Sequence, residues 1–241
     1  MHHDGEKPMI KLRQAVVAVP DVDAASAEAR KELGLAPGFP DPLLHDVGMA
    51  DESIILGDGA SFLEFVGPLR PDTGIQRWLD KAGPGGYCLS IQVSDIAPYL
   101  ERAEAAGVAI AADLEVYGYR IAQLHPKRLG LLIELDEIPD PAVWFWDDVE
   151  KEIPTDPQVD SFVSVELESA DPAAQSALWA EVFGVEVTDV DGTPQIRIGE
   201  LVARFVAGRR QAMTGIELKA SAGATMAAGT LELSGVRFTI S

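Results

Sequence analysis

A single cysteine, Cys88, stands among 241 residues. It excludes an intramolecular disulfide and fits a reducing compartment. Histidine is almost as scarce: His2, His3, His45 and His125 are the full set. Iron sites built from two imidazoles and a carboxylate therefore rank low. No apolar run approaches the roughly 20 residues of a membrane span. The opening MHHDGEKPM lacks the basic-then-apolar pattern of a secretory leader. The expectation is a cytoplasmic protein. Cations are short as well, with 19 Lys and Arg against 39 Asp and Glu and a net charge of −20. Nucleic acid and anionic membranes both require a basic footprint, so neither is an expected partner. An anionic ligand would need a local basic patch against the overall field. The chain contains no nucleophile elbow and no HExxH, and GPGG at 83–86 has neither dinucleotide-fingerprint nor P-loop form.

What the chain does have is self-similarity. SFLEFVGP at 61–68 slides onto ELVARFVA at 200–207, placing Glu64 on Arg204 and Phe65 on Phe205. GYCLSIQV from Gly86 follows the first block, and GIELKASA from Gly215 follows the second. One structural unit has been used more than once. The strand-like LRQAVVAV at 12–19 leads through Pro20 and Asp21 into a helix that stops at Gly34. Short strands are expected at 41–47, 53–57 and 61–66, the last two joined by an Asp58-Gly59 turn. The order β-α-β-β-β restarts at Gly86 and again at Asp160. It closes with a cut-down fourth unit whose SAGATMAAG is too short and glycine-rich for a full helix. Residues 70–85 read as a connection between the first two units. The expected domains are a first pair of units at 10–137, a linker at 138–159 and a shortened second pair at 160–241. Trp144, Phe145 and Trp146 are too apolar for a free tether. They either pin the linker to a neighbouring surface or form a ligand cage.

Tandem β-α-β-β-β units resemble the vicinal oxygen chelate superfamily, nearest to its epimerase-like and glyoxalase-like members. The phrases that carry the likeness are AVPDVD, LGDGASFLEFVGPL, GPGGYCLSIQVSDI and LHPKRLGLLIELDEI, in that order. The resemblance implies an α+β fold in which paired units curl into sheet cups with helices outside. A tandem ferredoxin-like arrangement is the alternative. It also implies one divalent cation (Zn, Co, Mn, Mg or Ni) inside the cup, or none, since the superfamily includes metal-free members. The ligand positions fall on Gln14, Glu64, Cys88 and Glu134. Cysteine departs from the usual histidine; it suits zinc but not an oxygen-rich site. In the second pair the same positions fall on or near Ser161, Arg204, Glu217 and Thr239, a set that cannot make a metal site.

The residues leave alternatives open. Glu64 and Glu134 alternate with apolar neighbours, as either cup-lining or solvated strand positions do. Cys88 reads equally as a small buried hydrophobe. His45 reads as a proton-transfer group at the cup mouth or as a surface histidine. His125 and Lys127 read as an exposed hairpin or as a basic lip for an anionic group such as a CoA phosphate. The expected function is an isomerase or lyase that removes a proton next to a carbonyl of a small molecule or acyl-CoA, with Glu64, Glu134 and His45 as candidate catalytic groups. The alternative is a binding protein that sequesters a small molecule. A homodimer is compatible with either.

Overall fold

A computed structural model describes residues 9–146 and 155–241. The first half runs β1 (Ile10–Ala18), α1 (Val22–Leu33), α2 (Pro42–Asp46), β2 (Met49–Ile55), β3 (Phe62–Pro68), α3 (Gly74–Ala82), β4 (Gly85–Val93), α4 (Ala97–Ala105), β5 (Ile110–Val116), β6 (Tyr119–Leu124), α5 (Pro126–Leu129) and β7 (Leu132–Glu137). The second runs β8 (Val159–Ser169), α6 (Pro172–Phe183), β9 (Thr188–Val190), β10 (Thr193–Ile198), β11 (Leu201–Ala207), β12 (Ala212–Ala220), β13 (Gly229–Leu233) and β14 (Val236–Ile240). This is the expected α+β order, with a helix crossing over between parallel-paired strands in each of the first three units. His2 and His3, and residues 147–154 of the expected linker, lie outside the described residues.

Local chemistry explains the elements. Asp21 and Asp171 cap α1 and α6, each accepting a backbone N–H three residues on. Two expectations need correction. The stretch 41–47 is not a strand but holds the short helix α2, because Asp41 accepts the Leu43 N–H and Pro42 takes the first helical turn. His45 therefore sits on a helix. Residues 70–85 are not a bare connection but carry α3, capped by the Thr73 hydroxyl.

The strands join into one 14-stranded sheet. In the first half β1 pairs parallel with β3 and antiparallel with β4, while β4 pairs parallel with β7. In the second half β8, β11, β12 and β14 repeat that pattern. The outer face of both halves packs on α1, α4 and α6 through a single core containing Leu33, Leu100, Phe65, Trp179 and Phe205. The halves meet where β4 pairs with β12 at Gly86 and Met213. A Cβ at Gly86 would stand 2.5 Å from the Met213 Cβ and 2.6 Å from its carbonyl oxygen, so only glycine lets the strands approach. Helix α6 adds the Gln175 amide and Trp179 indole N–H, both donated to the Leu129 carbonyl at 2.8 and 2.9 Å. Among the described residues no helix is long and apolar enough to cross a membrane.

Candidate active site in the first cup

The inner face of the first half is built from alternate residues of its strands. Two apolar clusters close its ends. Under α3 lie Val16, Ala18, Val66 and Cys88, packed against Ile75 and Leu79. At the other end Ile55 and Phe62 meet Trp144 and Trp146, which arrive from beyond β7. The Phe62 and Trp146 rings meet edge-to-face at 5.3 Å. Thus the expected pinning role holds for Trp144 and Trp146, while Phe145 and Trp146 also reach the cavity between the two plugs.

That cavity has a volume of about 430 Å³. Its polar wall includes Gln14 from β1, Glu64 from β3, Gln123 from β6, Glu134 from β7, Asp41 beside α2 and Asp46 on it. Its apolar wall includes Leu44, Leu114, Ile121, Phe145 and Trp146. The strand register explains the convergence: Val16 lies beside Glu64, Gln14 beside Ser90, and Ser90 beside Glu134. The Gln14 amide donates to Glu64, and the Gln123 amide donates to Glu134 at 2.7 Å.

The electrostatics are those of crowded, dehydrated acids. Burial, reinforced by the charges of Asp51, Glu134 and Asp41, pushes the Glu64 carboxyl well above its ordinary range. Burial also raises Glu134, partly offset by the Gln123 hydrogen bond. Asp136 is fully buried and raised further, by burial and then by Glu134; the Ser90 hydroxyl donates to it at 2.7 Å. Asp51, on β2, lies on the inner face diagonally across from Glu64. It does not itself line the cavity but accepts the N–H of Asp41, which does, at 2.8 Å, and burial brings its pKa up to about 7.

Three of the four expected ligand positions, Gln14, Glu64 and Glu134, share the cavity. Cys88 faces the same side of the sheet but lies off the cavity in the apolar cluster under α3. Its thiol is raised well above the usual value by burial and then by Glu134. Among the described residues no group of three or more His, Cys, Asp or Glu is arranged to hold a metal ion. With Cys88 in place of an imidazole and seated in the apolar cluster off the cavity, the donor set does not fit the superfamily's divalent cation. His45 is exposed on α2, where Leu44, Asp46 and Val47 rather than His45 line the cavity. His125 and Lys127 lie elsewhere, at the seam between the halves. Asp51 escaped the sequence reading because β2 begins at Met49, four residues earlier than expected. Only that start puts Asp51 on the inner face and Glu52 outside, where it pairs with Arg30.

The second half carries the same positions with different chemistry. Register equates Gln14, Glu64, Ser90 and Glu134 with Ser164, Arg204, Glu217 and Thr239. The equivalent of Gln14 is thus Ser164 rather than Ser161, and Gly215, not Glu217, matches Cys88. The cavity there is only about 120 Å³. Arg204 meets Glu217 at 3.0 Å, and Arg237 pairs with Glu166. Arg204 is less enclosed than its counterpart Glu64, with its side chain 43% exposed.

No family model matches the chain. Over 136 residues it is 31% identical to the ethylmalonyl-CoA/methylmalonyl-CoA epimerase of Cereibacter sphaeroides, covering 98% of that protein and 53% of this chain. The chain belongs to the vicinal oxygen chelate superfamily. Over 144 residues it is 28% identical to the mitochondrial methylmalonyl-CoA epimerase of Bos taurus, covering 80% of that protein and 56% of this chain. A hypothetical protein from Staphylococcus aureus superimposes on 97% of the chain and 99% of its own length, with TM-score 0.71 at 9% identity. A mutant 4-hydroxymandelate synthase from Streptomyces coelicolor covers 88% of the chain and 71% of itself, with TM-score 0.67 at 16% identity. These two likenesses concern the fold alone. They extend over both halves, whereas the epimerase likeness covers about half of the chain.

Proposed function

We propose that the first cup is the active site of an acyl-thioester epimerase that works by proton transfer between carboxyl groups. The observation that carries this reading is the spread of acid strengths on one inner face. Asp51, at about 7, is part ionised at neutral pH and still a competent base. Glu64, pushed above its usual range by burial, holds its proton more firmly than an ordinary carboxyl and in that form can donate a hydrogen bond.

In this scheme the substrate seats with its acidic C–H toward Asp41, and Asp51, held to Asp41 behind the cavity wall, takes the proton next to the thioester carbonyl. The electron pair moves onto the carbonyl oxygen as the enolate forms. The Glu64 carboxyl, supported by the Gln14 amide, donates to that oxygen. Glu134 returns a proton from the opposite face, giving the inverted centre with no net change in atoms. The acids then re-equilibrate with solvent through the open cavity.

The relatives are named for ethylmalonyl- and methylmalonyl-CoA, whose acyl groups carry a free carboxylate. Among the described residues no Lys, Arg or His lines the cavity. Arg13, near one plug, donates to Gln92 and to the Ala60 and Pro141 carbonyls. An uncharged 2-branched acyl group therefore suits this cavity better than a malonyl group with its free carboxylate.

Deuterium exchange from solvent into 2-methylacyl-CoA and methylmalonyl-CoA tests the reading. Exchange into the uncharged thioester should be the faster. Its rate should climb through about pH 7, and Asp51→Asn should lower it by roughly 100-fold or more. Tight binding without exchange into either compound would instead identify a sequestering protein.

A further inference from the structure

Five basic side chains of this acidic chain are gathered in one place. At the seam, β4 and α5 of the first half face the β11–β12 connection of the second across a groove of about 790 Å³. Lys81, His125 and Lys127 reach it from one side and Arg209 and Arg210 from the other. No carboxylate lines it among the described residues. Elsewhere cations such as Arg30, Arg120, Arg204 and Arg237 are paired with acids. Among the described residues Lys81, Lys127 and Arg209 have no carboxylate within ion-pair distance, and Arg210 has only Glu168, at 4.0 Å. A surplus of unpaired cations facing one cleft is a built-in demand for an anion. Trp78 forms one wall and is held edge-on by Tyr87 at 5.3 Å, so a broad flat ring stands beside the charges.

We infer that the seam groove binds a phosphorylated nucleotide, with its phosphates between Lys127 and Arg209 and its base against Trp78. The volume lies within the roughly 300–1,000 Å³ of small-molecule sites. Planar guanidinium and ammonium groups from opposite walls suit a multiply charged phosphate chain. The aromatic wall adds affinity that inorganic phosphate cannot gain. Both halves contribute cations, so the site exists only when they are docked. Two sources share this chemistry: the nucleotide handle of an acyl-CoA, and a free nucleotide.

Titration of the full chain with ADP, CoA and pyrophosphate, read by calorimetry, tests this. ADP should bind at least about tenfold more tightly than pyrophosphate, and Trp78→Leu should remove that preference. The double variant Lys127→Ala/Arg209→Ala changes only exposed side chains. It should keep the wild-type melting temperature and lose at least about tenfold in ADP affinity. CoA binding well above ADP supports the site as the acyl-CoA handle; equal binding supports a free nucleotide. No saturable binding of ADP or CoA at millimolar concentration would overturn the inference, as would unchanged affinity in the double variant or pyrophosphate binding as tightly as ADP. Glu64→Gln should bind ADP like wild type, so failure of the epimerase reading would leave this result standing.

Discussion

Asp51 illustrates how a single side chain ties stability to chemistry. Its pKa rises from the ordinary aspartate value of 3.8 to about 7 on folding, and Glu64, Glu134 and Asp136 shift in the same direction. The unfolded chain therefore releases these protons first as pH rises. The stability they contribute is complete below about pH 4 and is lost as pH climbs through 7 for Asp51. Melting temperature should fall between pH 5 and pH 8, and Asp51→Asn should flatten that fall. A melting temperature that rises over this interval would contradict the buried-acid reading. Gln14, Glu64 and Glu134 were legible from sequence because polar residues inside apolar strands are conspicuous. Asp51 was not, since it follows Met49-Ala50 and precedes another acid, so no alternation marks its face. The two-residue slip that set Glu217 against Cys88 came from laying Gly215 on Gly86: both halves carry the same bulge there, and the register makes Met213 the equivalent of Gly86 and Gly215 that of Cys88.

Among the elements, the segment after β7 has the largest effect on the first cup. Trp146 is 6% exposed and packs on Phe62 and Phe39. Replacing it by alanine should cost about 3–5 kcal/mol and open one end of the cavity. Chemical denaturation would measure the first effect, and ligand affinity the second. The ion pairs of the second cup should behave differently. Arg204→Ala breaks a pair with an exposed member, so the expected loss is at most about 1 kcal/mol, with exchange in the first cup unchanged. An exchange rate that fell with Arg204→Ala would mean that the two cups communicate. The strand order and both long helices were readable from caps and glycine stops. Helix α2 was not, because a five-residue helix is set by Asp41 and Pro42 rather than by any apolar periodicity.

At the scale of the whole molecule, the two halves form one sheet through a single bridged pair, Gly86 and Met213. Gly86→Ala drives a methyl group into the Met213 carbonyl. It should destabilise the protein by about 1–3 kcal/mol and weaken nucleotide binding at the seam, while a two-domain unfolding transition becomes visible by calorimetry. Retention of a single unfolding transition at the wild-type temperature would show that α6, not the strand bridge, holds the halves together. The Trp144–Trp146 plug has one more consequence, in the order of events at synthesis. The last strand of the first cup ends at Glu137, yet Ile55 and Phe62 remain uncovered until Trp144 and Trp146 have left the ribosome. A nascent chain arrested just after residue 137 should therefore present a sticky apolar mouth to chaperones, and one arrested far enough on to release Trp146 should not.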